Sequence, residues 1–183
     1  RLAQRGILIQ HDKHGRDVGL DNAGGKRRIQ AVTLGRKAKA AKRTRRVERL
    51  ANSNAAAARL FSAGSLPQFS WGQAGLGMAP NEISRLRSLA SHGLGRMVMG
   101  SCTTTRLALG YGVHRDPEIV IKAQAVCQWA DIWLALPTSA DGDHIREHIA
   151  EIWERTMRHL GDPKTRWARV SGTLSAAIAV LLS

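Results

Sequence analysis

From Ala31 to Leu50 the chain carries eight lysines and arginines against a single acid, Glu48, with one glycine, Gly35, and no proline. Alanine, lysine and arginine dominate the stretch, and all three favour helix, so one long helix is expected here. At 100° per residue, Arg36, Lys39, Lys42, Arg43, Arg46 and Arg49 fall within an arc of about 140°. Lys37 and Arg45 lie outside that arc. Ala38, Ala40, Ala41 and Val47 occupy the remaining surface, a thin apolar side that can dock while the cations face water. Any fold built on this chain must supply a partner for that narrow stripe and leave the rest of the helix uncovered.

The charge is concentrated there. The whole chain has a net charge of +14 and a pI near 11.3. Residues 1–59 hold 16 cationic and 4 acidic side chains, a net of +12, so only +2 remains for residues 60–183. Glu48 is the one acid between Asp21 and Glu82, so the cations repel one another unless an outside anion compensates them. A row about 20 Å long, at 1.5 Å per residue, can follow several phosphates of one strand, and each phosphate neutralised releases counterions. Arg36, Lys37, Lys39, Lys42, Arg43, Arg45, Arg46 and Arg49 are therefore expected to contact nucleic acid, with little base preference because phosphates carry no sequence information. An anionic membrane surface fits less well, since the opposite side presents alanines where a membrane-lying helix presents Trp, Phe and Leu.

The remaining punctuation predicts a mainly α fold. Short apolar runs at Gly6–Ile9 and Val18–Leu20, with Gly15 and Asn22-Ala23-Gly24-Gly25 around them, predict a short β hairpin at the N-terminus. After the basic helix, Asn52-Ser53-Asn54 is expected to cap a second helix over Ala55–Ala63. Four glycines and two prolines in 64–80 predict an ordered loop packed on Phe69 and Trp71. Pro80-Asn81-Glu82 starts a helix with Ile83, Leu86, Leu89 and Ala90 on one face, ending at Gly93. Asp116-Pro117-Glu118 starts another, whose stripe Ile119, Ala123, Val126, Ala130 and Trp133 is expected to face inward until Pro137 ends it. A further helix over about Asp143–Leu160 is expected to bury Ile145, Ile149, Ile152, Trp153 and Leu160, and a last one follows.

No catalytic pattern survives inspection of the residues. Cys102 and Cys127 are too few for a zinc site of their own or a disulfide framework, and reduced thiols fit a nuclear or cytoplasmic setting. The longest apolar run, Leu174–Leu182, is far shorter than the ~20 residues of a membrane span. His144-Ile145-Arg146-Glu147-His148 matches the H-x-x-E-H spacing of inverted zinc peptidases, but a catalytic metal needs a third ligand from a separate element, so an exposed polar helix face is the expectation. No serine or cysteine sits in a G-x-S-x-G context, and Gly75-Leu76-Gly77 and Gly93-Leu94-Gly95 lack a phosphate loop's third glycine. Asp141 and Asp143 are expected to cap a helix rather than bind magnesium. Neither a cofactor nor a metal is expected.

The order of these segments resembles the region after the palm in non-LTR retrotransposon reverse transcriptases, in the divergent form of unicellular eukaryotes. Asp17-Val18-Gly19-Leu20-Asp21 is similar to the "LGV" strand closing the palm, and an Arg/Lys-rich thumb helix follows at 31–50. Leu60-Phe61-Ser62-Ala63-Gly64-Ser65-Leu66-Pro67-Gln68-Phe69-Ser70-Trp71-Gly72 is similar to that family's G-x-LP-x-x-x-Y-G segment. Thr104–Gly112, Asp116-Pro117, Trp129–Trp133 and Trp167–Leu181 resemble the linker towards a ribonuclease H domain. The resemblance implies a remnant of palm-end strands at 1–30, a basic helical thumb-like domain at 31–110 and a helical connection at 111–183 that is truncated at its C-terminus. It also implies a polymerase palm upstream and ribonuclease H downstream as partners, with the catalytic carboxylates of both outside this segment. What remains is a non-catalytic grip on the template–primer backbone, an RNA–DNA hybrid or RNA. A free-standing basic RNA-binding module of the ribosome-associated kind, or a decayed inactive reading frame, are the alternatives.

Overall fold

A computed structural model of the chain describes residues 14–17, 20–23, 31–96, 100–137 and 139–183. The fold is mainly α. At the start, β1 (His14–Asp17) pairs antiparallel with β2 (Leu20–Ala23). The Gly6–Ile9 run and Val18, expected in strands, lie outside the described residues.

The basic stretch forms α1 (Ala31–Ser53). Its buried residues are Thr33, Lys37, Ala40, Thr44, Val47 and Ala51, an alternation of four and three that draws one straight seam along the helix. Apart from Lys37 these are small or β-branched, so a neighbouring helix can approach closely. The Thr44 hydroxyl is satisfied inside the seam by donating to the Ala40 carbonyl at 3.0 Å. At the far end Asn54 accepts from the Ala56 N–H through its side chain and starts a 3₁₀ turn, Ala55–Ala58.

The segments that follow differ from the expected single helix and loop. Phe61–Ser65 is a π turn, closed by the Leu66 N–H donating to the Phe61 carbonyl five residues back. The glycine-rich stretch then makes two single-turn helices, α2 (Leu66–Ser70) and α3 (Gln73–Leu76). Pro67 sits in the first turn of α2, where its missing N–H costs nothing. Gly72 and Gly77, at φ 77° and 68°, separate these short helices rather than keep the chain irregular. Phe69 is buried as expected, whereas Trp71 is 51% exposed.

Helix α4 (Pro80–Gly93) occupies its expected range and buries Ile83, Leu86 and Ala90. After α5 (Thr103–Gly110) comes α6 (Pro117–Leu134), again with its expected start, the Asp116 side chain accepting from the Glu118 N–H. The face it buries is not the expected one. Pro117, Ile121 and Ala125 point inward, while Ile119, Ala123 and Ala130 are exposed and Val126 and Trp133 half-buried. Both sides of α6 are apolar, and the shorter stripe is the one that α3, α4 and α9 cover.

In α7 (Ala140–His159) none of Ile145, Ile149, Ile152 and Trp153 is fully buried, and only Leu160, just beyond its end, reaches the interior as expected. Ser139, not Asp141 or Asp143, caps α7 by accepting from the Gly142 N–H, with both acids in its first turn. Helices α8 (Arg166–Arg169) and α9 (Thr173–Leu181) close the chain, and α9 is buried at five consecutive positions, Ser175 to Ala179. No described helix is long and apolar enough to cross a membrane.

Two clusters of buried side chains organise these elements. The first joins α1, α2, α4 and α5 around Phe61, Met78, Leu86 and Leu107 and takes Ile121 from α6, across the expected boundary at residue 110. The second gathers Leu160, Val170, Ala176 and Ile178 around Ala125. Helix α6 thus serves both clusters, and Arg87 of α4 fixes its start. The guanidinium reaches Asp116 through Nε at 3.0 Å and Nη2 at 2.8 Å, and Glu118 through Nη1 at 3.3 Å. Arg166 acts similarly in the second cluster, donating to the carbonyls of Leu160 at 2.9 Å and Leu182 at 2.6 Å.

Two expectations follow for the first cluster. Asp116→Ala removes a helix cap and strands a half-buried guanidinium, so chemical denaturation should show a loss of about 2–4 kcal/mol. Tyr111, the chain's one tyrosine, stacks near Phe61 at 5.8 Å and donates to the Ala90 carbonyl, and burial pushes its phenol well above the usual range, against the opposing pull of Arg106. Its folded-state pKa is raised, so the stabilisation held by the neutral phenol is complete below about pH 10, where an unfolded tyrosine ionises, and is lost as pH rises beyond. Tyrosinate absorbance should therefore stay silent through pH 10 and appear together with loss of helical circular dichroism.

Candidate nucleic-acid interface

With the seam of α1 turned inward, the eight candidate cations separate into two groups. Lys39, Lys42, Arg43, Arg45, Arg46 and Arg49 are exposed, and on a helical projection they span about 160° opposite the seam. Among the described residues none of the six takes part in an ion pair. Arg45, outside the narrower arc read from the sequence, belongs to this face. The one acid of α1, Glu48, turns towards α4, its carboxylate 3.5 Å from His92 Nδ1. The outward face of the helix is thus of a single sign.

Arg36 and Lys37 are placed differently. Arg36 is half-buried and donates to the Thr33 hydroxyl at 3.4 Å and the Trp71 carbonyl at 3.3 Å, so it ties the start of α1 to the turn between α2 and α3. Lys37 is 8% exposed. Its ammonium pairs with Glu82 in the first turn of α4 and lies 5.5 Å from the centre of the Phe69 ring. The sequence shows Lys37 as one more cation in a basic run. Its position on the four–three seam with Thr33, Ala40 and Thr44, and an acid at the N-terminus of the helix that receives the seam, are the signals that it is structural.

Arg43 both belongs to the exposed face and is anchored. Its Nη1 donates to the Gly64 carbonyl at 3.3 Å, and its side chain crosses so close that a Cβ at residue 64 would stand 3.1 Å from Nη1. The π turn carries Gly64 to this position. Beside it opens a shallow cleft of about 400 Å³ bounded by Arg43, Arg46, Val47, Leu50, Leu60 and Gly64. Leu50 and Leu60 are about half exposed on its walls. This juxtaposition of guanidinium groups and apolar surface is not legible in the sequence, since it joins α1 to a segment expected to be an ordinary helix. A larger cleft of about 560 Å³, between α2, α3 and α6, has Asp131 as its one charged side chain and includes none of the cations of α1.

The arrangement holds six fixed positive charges over about 15 Å, from Lys39 to Arg49 at 1.5 Å per residue. That span matches four or five phosphates of one strand at about 3.4 Å each. Lysines offer mobile point charges and arginines a planar fork suited to phosphate oxygens. The division of the cations is measurable by stability. Lys37→Ala should cost about 1–3 kcal/mol in urea denaturation by leaving Glu82 without its partner, whereas Lys39→Ala should stay within about 0.5 kcal/mol.

Comparison with known proteins gives no family model, no curated protein and no solved structure that matches this chain.

Proposed function

We propose that this chain is a non-catalytic nucleic-acid-binding unit that grips a phosphate backbone, RNA or an RNA–DNA hybrid, along the exposed face of α1. The observation that carries this reading is the single-sign row of Lys39, Lys42, Arg43, Arg45, Arg46 and Arg49, without ion-pair partners among the described residues and set opposite a seam that docks the helix. The grip is electrostatic and indifferent to base sequence, as phosphate contacts are. In the setting implied by the resemblance to reverse transcriptases, α1 is the thumb helix holding the template–primer, and the polymerase palm and ribonuclease H belong to neighbouring parts of a longer protein. A second reading, a free-standing RNA-binding module, draws support from the two clusters of fully buried residues, which give the chain an interior of its own. A cooperative thermal melt of the isolated chain favours that module, and a broad transition with exposed apolar surface favours a segment that needs its neighbours.

The test is a titration of the chain against a labelled RNA–DNA hybrid at several salt concentrations. Four or five neutralised phosphates predict that log K falls with log salt at a slope of roughly −3 to −4.5, or about two to three orders of magnitude between 50 and 200 mM. Replacing Lys39, Lys42, Arg45 and Arg46 by Glu should abolish binding while leaving the helical circular dichroism intact, because none of the four supports the fold. Affinity unchanged by that replacement sinks the proposal.

A further inference from the structure

Residues 141–154 invert the charge balance of the chain. Asp141, Asp143, Glu147, Glu151 and Glu154 stand there against Arg146 alone, in a protein of net charge +14. Two imidazoles lie within this acidic stretch of α7. His144 and His148 are one turn apart, with ring centres separated by 4.3 Å, and Glu147 lies beside them on the same helix. One nitrogen from each ring and one Glu147 carboxylate oxygen all lie within 4.8 Å of one another, and the three side chains are exposed. On the helical projection the cluster is centred roughly 110° round the helix from Ile145, Ile149 and Ile152, with His148 the nearest to them, and all three of its side chains remain exposed.

Two further features prepare the cluster. His148 Nδ1 lies 2.9 Å from the His144 carbonyl. A carbonyl oxygen only accepts, so Nδ1 carries the proton, and in the neutral ring the lone pair resides on Nε2, turned outward. Such an orienting hydrogen bond on the far nitrogen is what metal-bound histidines ordinarily have. Arg146, the one cation among these residues, is drawn off to the α6–α7 connection. It donates to the carbonyls of Leu136 at 2.6 Å and Pro137 at 3.2 Å and pairs with Asp143 at 2.8 Å.

The geometry points to a divalent transition-metal site on α7, with His144, His148 and Glu147 as ligands and water completing the shell. Imidazole nitrogens select zinc, nickel or copper over magnesium or calcium, which prefer oxygen alone. Ligand atoms bound at about 2.1 Å in a tetrahedral shell are roughly 3.4 Å apart, so the ends of these exposed side chains close by about an ångström on binding. All three ligands come from one helix, so the site is open and solvent-facing, suited to holding a metal that a further group can reach. The proposal is independent of the nucleic-acid reading.

Isothermal titration of Zn²⁺ into the full chain, with the exposed thiols of Cys102 and Cys127 alkylated, tests it. The expected result is one ion per chain. His144→Gln and His148→Gln should each weaken binding by at least about tenfold, the lower bound set by what even the groups around metal ligands contribute. His92→Gln and His114→Gln should leave it unchanged. Because all the substituted side chains of the cluster are exposed, circular dichroism should confirm that each variant folds. No saturable binding, or binding that survives both cluster histidine replacements, overturns the site, and binding indifferent to Glu147→Gln overturns the three-ligand form.

Discussion

Eight cations on one helix can be accommodated by a folded chain only if one side of that helix is clear of them, and the seam of α1 meets that requirement with little to spare. Thr33, Ala40, Thr44, Val47 and Ala51 bury little surface each, so the helix is held by close approach rather than by large side chains. Lys37 is the exception, and a charge carried into that interior is tolerable because Glu82 meets it at the start of α4. The rotation of α1 about its axis is set by these contacts. Everything outward follows from that rotation, including which six cations reach solvent and which acid, Glu48, is turned aside.

Elsewhere the same residue types serve the interior. Arg87 joins α4 to the capped start of α6, Arg106 donates to the Ser91 and Gly95 carbonyls at 3.1 and 3.2 Å, and Arg166 gathers carbonyls from the ends of α7 and α9. Arg106 and Arg166 each close a place where a helix end would otherwise leave carbonyls unpaired, whereas Arg87 meets carboxylates. A chain so rich in arginine thus divides its cations between clamping carbonyls within and presenting charge without, and the division is decided by which element each cation faces.

Local signals were legible and relational ones were not. Pro80 and the Asp116-Pro117-Glu118 trio mark helix starts through backbone chemistry confined to a few residues, and both starts stand where the sequence places them. The length of α1 followed from propensity alone. The inward face of α6 did not, because Ile119, Ala123 and Val126 form as good a stripe as Pro117, Ile121 and Ala125, and the choice rests on where α3, α4 and α9 lie. Glycine density in 64–80 points to a loop, yet Gly72 and Gly77 act as stops after the single turns α2 and α3. Within the candidate interface the row was legible as a pattern. The roles of Arg36 and Lys37 were not, since Trp71 and Glu82 lie 35 and 45 residues away.

A row of like charges, without ion-pair partners among the described residues, also links stability to binding. Self-repulsion along α1 opposes the folded state, and salt relieves it by screening charges that stand in water, with a Debye length of about 10 Å at 0.1 M. Salt acts on a bound polyanion in the opposite sense, since the counterions released on binding are harder to release when the solution already holds many. On the proposed reading the free protein gains stability as salt rises while the complex loses affinity, and a polyanion at low salt stabilises the fold by supplying the charge that α1 lacks. An ordinary solvated charged face shares the first behaviour but not the second or third. The sign of the salt effect with and without a polyanion therefore separates a surface that merely tolerates its charge from one that presents it to a partner.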